Sequence, residues 1–286
     1  MCDYRLDLHL HTMYSDGSDS PEQVMRLLKD KSISVFAFAD HDADFWIGEC
    51  SSAYREEARR MGLKFIRAVE LSTRDRISGK KAHLLAFWPE GESFISNNLR
   101  SIIEDTVQMR NSVGSRQIEC LHAMGFPVDY QTVLQSTSTG QIFKRHIMEA
   151  IRHTGLLSED EYKHFHYNHF VKGKNCYFPK DYPDTSDVLH AVIESRAIPV
   201  LAHPGHNDNF DIIPRLAKEG LRGVECNHPT HSETDRARVI RLCQLHQLLL
   251  SGGSDYHGKY YRSGVIGDYT VPVAYSKKWK ILLNID

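Results

Sequence analysis

The chain has almost no net charge, no long apolar run and no paired-cysteine motif. Thirty-five Lys and Arg stand against 37 Asp and Glu, leaving −2, so no global field recruits nucleic acid or an anionic membrane. The basic residues fall in short scattered runs such as Arg59-Arg60, Lys80-Lys81 and Lys144-Arg145. No stretch approaches the roughly 20 apolar residues of a membrane span. The opening Met1-Cys2-Asp3-Tyr4-Arg5-Leu6-Asp7 is too polar for the apolar core of a signal peptide. The six cysteines, at positions 2, 50, 120, 176, 226 and 243, form no C-x-x-C pair and match no zinc ribbon or disulfide framework. The expectation is a cytoplasmic protein with free thiols. There are no internal repeats and no low-complexity tracts.

What remains is a globular composition, 41% hydrophobic and 25% charged over 286 residues, enough for one large domain or a core with an insertion. One count stands out: 17 histidines, the side chain most used for metal binding and for acid–base work near neutral pH.

Seven short apolar runs read as strands, at 5–11, 35–39, 64–69, 83–88, 198–202, 223–226 and 248–250. Helical patterns lie between them. Ser20-Pro21-Glu22-Gln23 supplies an N-cap, a proline at the first position and a capping-box Gln. Further helices are expected at 53–61, after Ser186, at 212–218 and at 233–247. Alternating buried strands and helices predict an α/β fold, a parallel sheet closed or nearly closed into a barrel, with chemistry at the strand C-terminal ends. The stretch 91–182 breaks this rhythm. It reads as a mostly helical insertion, leaving 1–90 and 183–286 as the barrel.

Polar clusters sit beside the ends of the apolar runs. His9 and His11 lie two apart on a strand, hence on one face. Then come Asp16, Asp40-His41-Asp42, Glu70, His83, His203 and Asp255-Tyr256-His257. So many metal-type ligands at strand termini point to a metal centre rather than to a solvated surface. Imidazole mixed with carboxylate suits Mn²⁺, Fe²⁺ or Zn²⁺ better than Mg²⁺, and the lack of cysteine ligands argues against a structural zinc.

The motifs Asp7-Leu8-His9-Leu10-His11-Thr12, Ser15-Asp16-Gly17, Ala39-Asp40-His41-Asp42, Val69-Glu70-Leu71-Ser72, Ala82-His83-Leu84-Leu85, Ala202-His203-Pro204-Gly205 and Gly253-Ser254-Asp255-Tyr256-His257 resemble those of the PHP (polymerase and histidinol phosphatase) family, in its stand-alone phosphoesterase branch. The resemblance implies a distorted seven-stranded barrel and three divalent ions. One would take His9, His11, Glu70 and Asp255; a second Glu70, His83 and His203; a third Asp16, His41 and His257. A hydroxide between the first two would attack phosphorus. Three carboxylates neutralise only half the charge of three divalent ions, so the remainder complements a phosphate dianion. The expected substrate is a small phosphate ester, a nucleotide or sugar phosphate, with histidinol phosphate as an alternative and no stable nucleic acid complex. A metal-binding regulatory domain without turnover is the alternative of another class.

Around this centre, Asp42 is expected to orient a metal-bound imidazole. His206 and His231 are candidates for protonating the leaving oxygen, and His228 for binding substrate. Lys144 and Arg145 lie where relatives of this type carry an Arg-Pro-His motif, here without the proline, and are the candidate phosphate contacts.

Overall fold

The computed structural model describes residues 4–260 and 264–285. The barrel half runs β1 (Leu6–Leu10), α1 (Pro21–Asp30), β2 (Val35–Phe38), α2 (Ser52–Arg60), β3 (Lys64–Arg74) and β4 (Lys81–Trp88). Four helices follow: α3 (Asn97–Ala123), α4 (Tyr130–Gln135), α5 (Lys144–His153) and α6 (Glu159–His169). The chain then returns through α7 (Thr185–Glu194), β5 (Ile198–Leu201), α8 (Pro204–Asn207), α9 (Ile213–Glu219), β6 (Gly223–Asn227), α10 (Glu233–His246), β7 (Leu249–Gly252) and α11 (Val273–Leu282). The capping box at Ser20 and Gln23 forms as expected. Asp184, rather than Ser186, caps α7.

The seven strands pair in chain order, β1 to β7. The ends of the sheet approach each other: Asp255 N–H donates to His9 O at 2.8 Å and Val271 N–H to Leu6 O at 2.9 Å. This is the nearly closed barrel the sequence predicts, with one difference. Strand β4 is antiparallel to both neighbours, because β3 and β4 are joined by a tight turn with no crossover helix. The reversal explains why His83 opens its apolar run while the other ligands close theirs. Running backwards, β4 brings its first residues to the end of the barrel where the other strands finish.

Side chains inside and between the strands form a dry core that includes Leu6, Leu8, Val35, Ala37, Leu85, Val200 and Trp279. Trp279 of α11 packs edge-on to Phe87 and donates its indole N–H to Leu250 O at 2.8 Å, while Glu90 N–H bonds Leu283 O. Helix α11 thereby plugs the barrel at the end away from the histidines. Each such buried side chain contributes about 1.5–3 kcal/mol.

Residues 91–182 are helical, with no strand among the described residues there. They hold a core of their own, including Ile118, Leu121, Val133, Ile147, Phe165 and Phe170. Helix α3 belongs to both bodies. Leu99 and Ile103 pack into the barrel core, and Ile118 and Leu121, about four to six turns on, pack into the insertion. The expectation of free thiols fails here: Cys120 on α3 and Cys176 form a disulfide across 56 residues. Their spacing carried no framework signature, because it is the helical fold that brings them together. Cys50, Cys226 and Cys243 are free, Cys226 being buried as packing; Cys2 lies outside the described residues. No helix among the described residues is long and apolar enough to cross a membrane.

Candidate metal centre

Strand β1 delivers His9 and, just past its end, His11, both fully buried. They face the start of the loop after β7 at very short range. A Cβ on Gly253 would lie 2.3 Å from His9 Cβ, so only glycine lets the two chains approach. Asp255 follows, with φ 47°. His41 follows β2, and Asp42 after it has φ 47°. Glu70 comes from within β3, and its backbone bridges to His41. His83 comes from the reversed β4, and His203 from the end of β5 with φ 27°. Three non-glycine residues in the left-handed region around one site are a concentration of strain of about 1–3 kcal/mol each, typical of functional constellations.

Glu70 is the hub. Its Oε1 lies 2.8 Å from both His83 Nδ1 and His203 Nε2. Its Oε2 lies 3.2 Å from His9 Nε2, 3.2 Å from His11 Nε2 and 3.1 Å from His41 Nδ1. Yet this buried oxygen accepts no hydrogen bond of acceptable geometry, and His41 Nδ1 is likewise orphaned. Meanwhile His9 Nε2 and His11 Nε2 are 3.1 Å apart, and Asp255 Oδ1 is 3.4 and 3.2 Å from them. On the other side Asp16 Oδ1 is 3.3 Å from His257 Nε2 and 3.7 Å from His11 Nδ1, and its Oδ2 is 4.0 Å from His41 Nε2. Lone-pair atoms crowded together, with a buried carboxylate oxygen and an imidazole nitrogen left unbonded among them, are the arrangement a cation completes.

Electrostatics lead to the same requirement. Burial alone would raise the carboxyls of Asp16, Glu70 and Asp255, but the adjoining imidazoles hold all three well below the usual range. Burial opposes charge on His11, yet the adjoining carboxylates of Asp255 and Glu70 lift it to about 10. Three buried carboxylates in one pocket demand compensating positive charge. Divalent ions supply it while leaving the imidazoles neutral and able to ligate. The residues present therefore fit a multinuclear metal site. The groupings within reach are His9, His11, Glu70 and Asp255; His11, Asp16, His41 and His257; and His41, Glu70 and His83. His203 joins the Glu70 side.

Three of the surrounding expectations need correction. Asp42 orients no imidazole: it accepts from Ser72 N–H at 2.7 Å and from the Arg110 guanidinium at 2.6 Å, because its left-handed backbone turns the carboxylate toward the insertion. Asp40, not Asp42, organises the β1 loop, accepting from Thr12, Ser15 and Trp46. His231 is no proton donor: its Nδ1 bonds Cys226 O at 2.9 Å and its Nε2 accepts from Gly205 N–H at 3.0 Å, so both ring nitrogens are spent on the main chain. His228 is not open to the site. It is buried under Asp255, 3.2 Å from Oδ2. Arg145 reaches the site side of the insertion but donates to Ser15 O at 2.9 Å. His206 stays at the rim, its ring centroid 5.5 Å from that of His203.

Three residues were missed. Glu225, fully buried in β6, contacts His9 and the backbone of His203; a carboxylate in an otherwise apolar strand is the signal that marked it. Arg110 of α3 ties Asp42 to Ser72 Oγ at 2.6 Å, and nothing in an amphipathic helix distinguishes it. Lys180 follows the disulfide. Burial and then the charges of Arg110, Lys144 and Lys81 push its ammonium well below the ordinary lysine value, and Lys144 is pushed down to about 8 by burial and then Lys81. These cations gather on the insertion side of the cluster.

Over residues 7–172 the chain matches the PHP domain. This chain belongs to the PHP family. A relative from Eggerthella lenta, named phosphoribosyl 1,2-cyclic phosphate 1,2-diphosphodiesterase, is 33% identical over 267 residues, 93% of this chain and 98% of the relative. A 3′,5′-nucleoside bisphosphate phosphatase from Chromobacterium violaceum is 24% identical over 88% of this chain and 87% of its own length. A solved structure from Bifidobacterium adolescentis, 24% identical, superposes with a TM-score of 0.83 over 97% of this chain and 96% of that one. The fold of nearly the whole chain is thus shared with that structure.

Proposed function

We propose that this chain is a metal-dependent phosphoric ester hydrolase acting on small ribose-linked phosphates. The observation that carries the reading is the buried Glu70 Oε2, ringed by three imidazole nitrogens at 3.1–3.2 Å with no hydrogen bond of its own. Membership of the PHP family and the names of the relatives support a phosphoesterase. The two relatives described above are named for ribosyl or nucleoside phosphates, which supports that substrate class over histidinol phosphate.

In this reading His9, His11, Glu70 and Asp255 hold one ion, Glu70, His83 and His203 a second, and Asp16, His41 and His257 a third; manganese, iron or zinc suits the donors. When bound, such ions supply an activated water at neutral pH and charge stabilisation for the phosphoryl oxygens. The chain's own residues do the rest. Lys144 and Lys180 present cations from the insertion to a bound phosphate. His206, at the rim, is the candidate proton donor to the leaving oxygen. The strained backbones of His203 and Asp255 keep donor atoms convergent before substrate arrives, so less reorganisation is needed during reaction. The near-neutral surface supports a small substrate rather than a polymer.

The test is a panel assayed with manganese, iron or zinc: a phosphoribosyl 1,2-cyclic phosphate, a 3′,5′-nucleoside bisphosphate, histidinol phosphate, an oligoribonucleotide and an aryl phosphate. The expected result is the highest kcat/KM on a ribosyl phosphate, abolished by His9→Ala. Preference for histidinol phosphate or the oligonucleotide would overturn the substrate class. Bound metal with no hydrolysis of any ester would mean a binding domain instead.

A further inference from the structure

Behind the convergent ligands stands a carboxylate that takes no part in their vertex. We propose that Glu225 is a positioning residue that fixes which nitrogen of His9 faces the metal cluster and, with the same carboxylate, anchors the main chain of His203. The inference rests on the metal-site reading above.

Glu225 is fully buried in β6, between Val224 and Cys226. Its two oxygens lie 3.1 and 3.3 Å from His9 Nδ1. The opposite nitrogen of that ring, Nε2, points the other way, to Glu70 Oε2 at 3.2 Å and Asp255 Oδ1 at 3.4 Å. A carboxylate can only accept, and a neutral imidazole carries one N–H. The proton must then sit on Nδ1, leaving the Nε2 lone pair for the cluster. A ligating histidine backed by a carboxylate is held in one tautomer and one ring orientation, and its basicity is raised.

The second contact comes from the same group. Glu225 Oε2 accepts from His203 N–H at 2.9 Å. His203 has φ 27° and ψ 60°, a conformation its side chain disfavours, so an anchor on its amide is what a ligand at this position needs. One carboxylate on β6 thereby sets ligands contributed by β1 and by the turn after β5, which meet at Glu70. Although Glu225, His9 and His228 lie close enough together to share an ion, the His203 N–H bonded to that carboxylate opposes that use. His228 repeats the device on a smaller scale. Its Nδ1 accepts from Thr230 N–H at 3.2 Å, which leaves Nε2 to donate to Asp255 Oδ2.

Two measurements test this. In Glu225→Gln the negative charge is lost and one acceptor oxygen becomes an N–H₂ donor, leaving a single neutral oxygen for both His9 Nδ1 and His203 N–H, so zinc and manganese affinity, read by titration of the metal-free protein, should fall about 10- to 100-fold. At saturating metal, kcat should recover and KM should match wild type. The second measurement needs no variant. In zinc-loaded wild type, ¹H–¹⁵N correlations of the histidine rings, with His9 assigned by His9→Gln, should show its proton on Nδ1. Wild-type metal affinity in Glu225→Gln, or an Nε2-protonated His9, overturns the proposal. Affinity lost only in proportion to a lowered Tm of the metal-free variant would also overturn it, in favour of a general structural role. If wild type binds neither zinc nor manganese, the metal reading itself fails. That is distinct from a zinc-loaded protein carrying the wrong His9 tautomer, which sinks Glu225 alone.

Discussion

Arg110→Met strands the Asp42 carboxylate inside the protein. Arg110 is 6% exposed and Asp42 2%, so solvent screens neither charge. Nε and Nη2 reach one carboxylate oxygen at 3.0 and 2.6 Å, and Nη2 also reaches Ser72 Oγ. Removing one member of a buried pair costs about 3–5 kcal/mol, mostly because the other charge is left uncompensated. Asp42→Asn combined with Arg110→Met should therefore recover most of the loss. The pH dependence fixes the cause. In wild type, burial would raise the Asp42 carboxyl, but Arg110 overcomes it and holds the group below its usual value. That contribution is present above the unfolded-state value of about 3.9 and is lost as pH falls through the lower folded value. In Arg110→Met burial is opposed only by the Ser72 N–H bond and by His41, and the folded value rises, so the penalty is full near neutrality and fades as the carboxyl protonates on the way to about pH 4. Urea unfolding of the metal-free proteins at several pH values measures the gap. A loss under about 1 kcal/mol at pH 7, well below the range for a broken buried pair, would refute the reasoning. So would a gap that does not narrow on acidification, or a double variant no more stable than the single one.

Other consequences follow from single contacts. Reducing the Cys120–Cys176 bond, or Cys120→Ser, opens a loop with a sequence separation of 56; chain entropy puts the loss at about 4 kcal/mol, visible as an earlier thermal transition, and an unchanged Tm with both thiols titratable would contradict it. Lys180→Met and Lys144→Met should each raise KM about 10-fold, the worth of one charge-assisted hydrogen bond, with kcat nearly held; a fall in kcat at constant KM would remove them from substrate binding. Gly253→Ala drives a methyl to 2.3 Å from His9 Cβ and should cost at least about 3 kcal/mol together with metal binding, read by thermal shift with and without zinc.

Legibility in the sequence followed from locality. The His9–His11 pair, the Asp40-His41-Asp42 run and Asp255-Tyr256-His257 could be read because each ligand sits at the end of its own apolar run, where strand period and polarity change together. The capping box at Ser20 was readable for the same reason, since its partners are three residues apart. What stayed hidden depends on distant pairing. Nothing near His83 announces that β4 runs backwards; only the tight turn between β3 and β4 does. Arg110 looks like any helix arginine until α3 crosses Asp42, and Cys120 looks like a lone thiol until the insertion folds. His228 and His231 misled because a histidine after a strand end carries the same sequence signature whether it serves substrate, a carboxylate or the main chain.

The same contacts join the insertion to the metal centre. Asp42 follows His41, and Ser72 stands two residues after Glu70, so Arg110 grips both segments that bring ligands to the hub. It does so from the middle of α3, whose first turns are part of the barrel core and whose later turns carry the insertion's own core. A force that tilts the later turns is thus transmitted through one guanidinium to His41 and Glu70. Lys180, four residues beyond Cys176, is tethered to α3 by the disulfide. Helix α3 therefore touches the segments that carry His41 and Glu70 and, through the disulfide, the segment that carries Lys180, so in the proposed reading substrate affinity and metal retention are coupled. A variant that loosens α3 at Arg110 should weaken both, whereas one at Lys180 should weaken only the first.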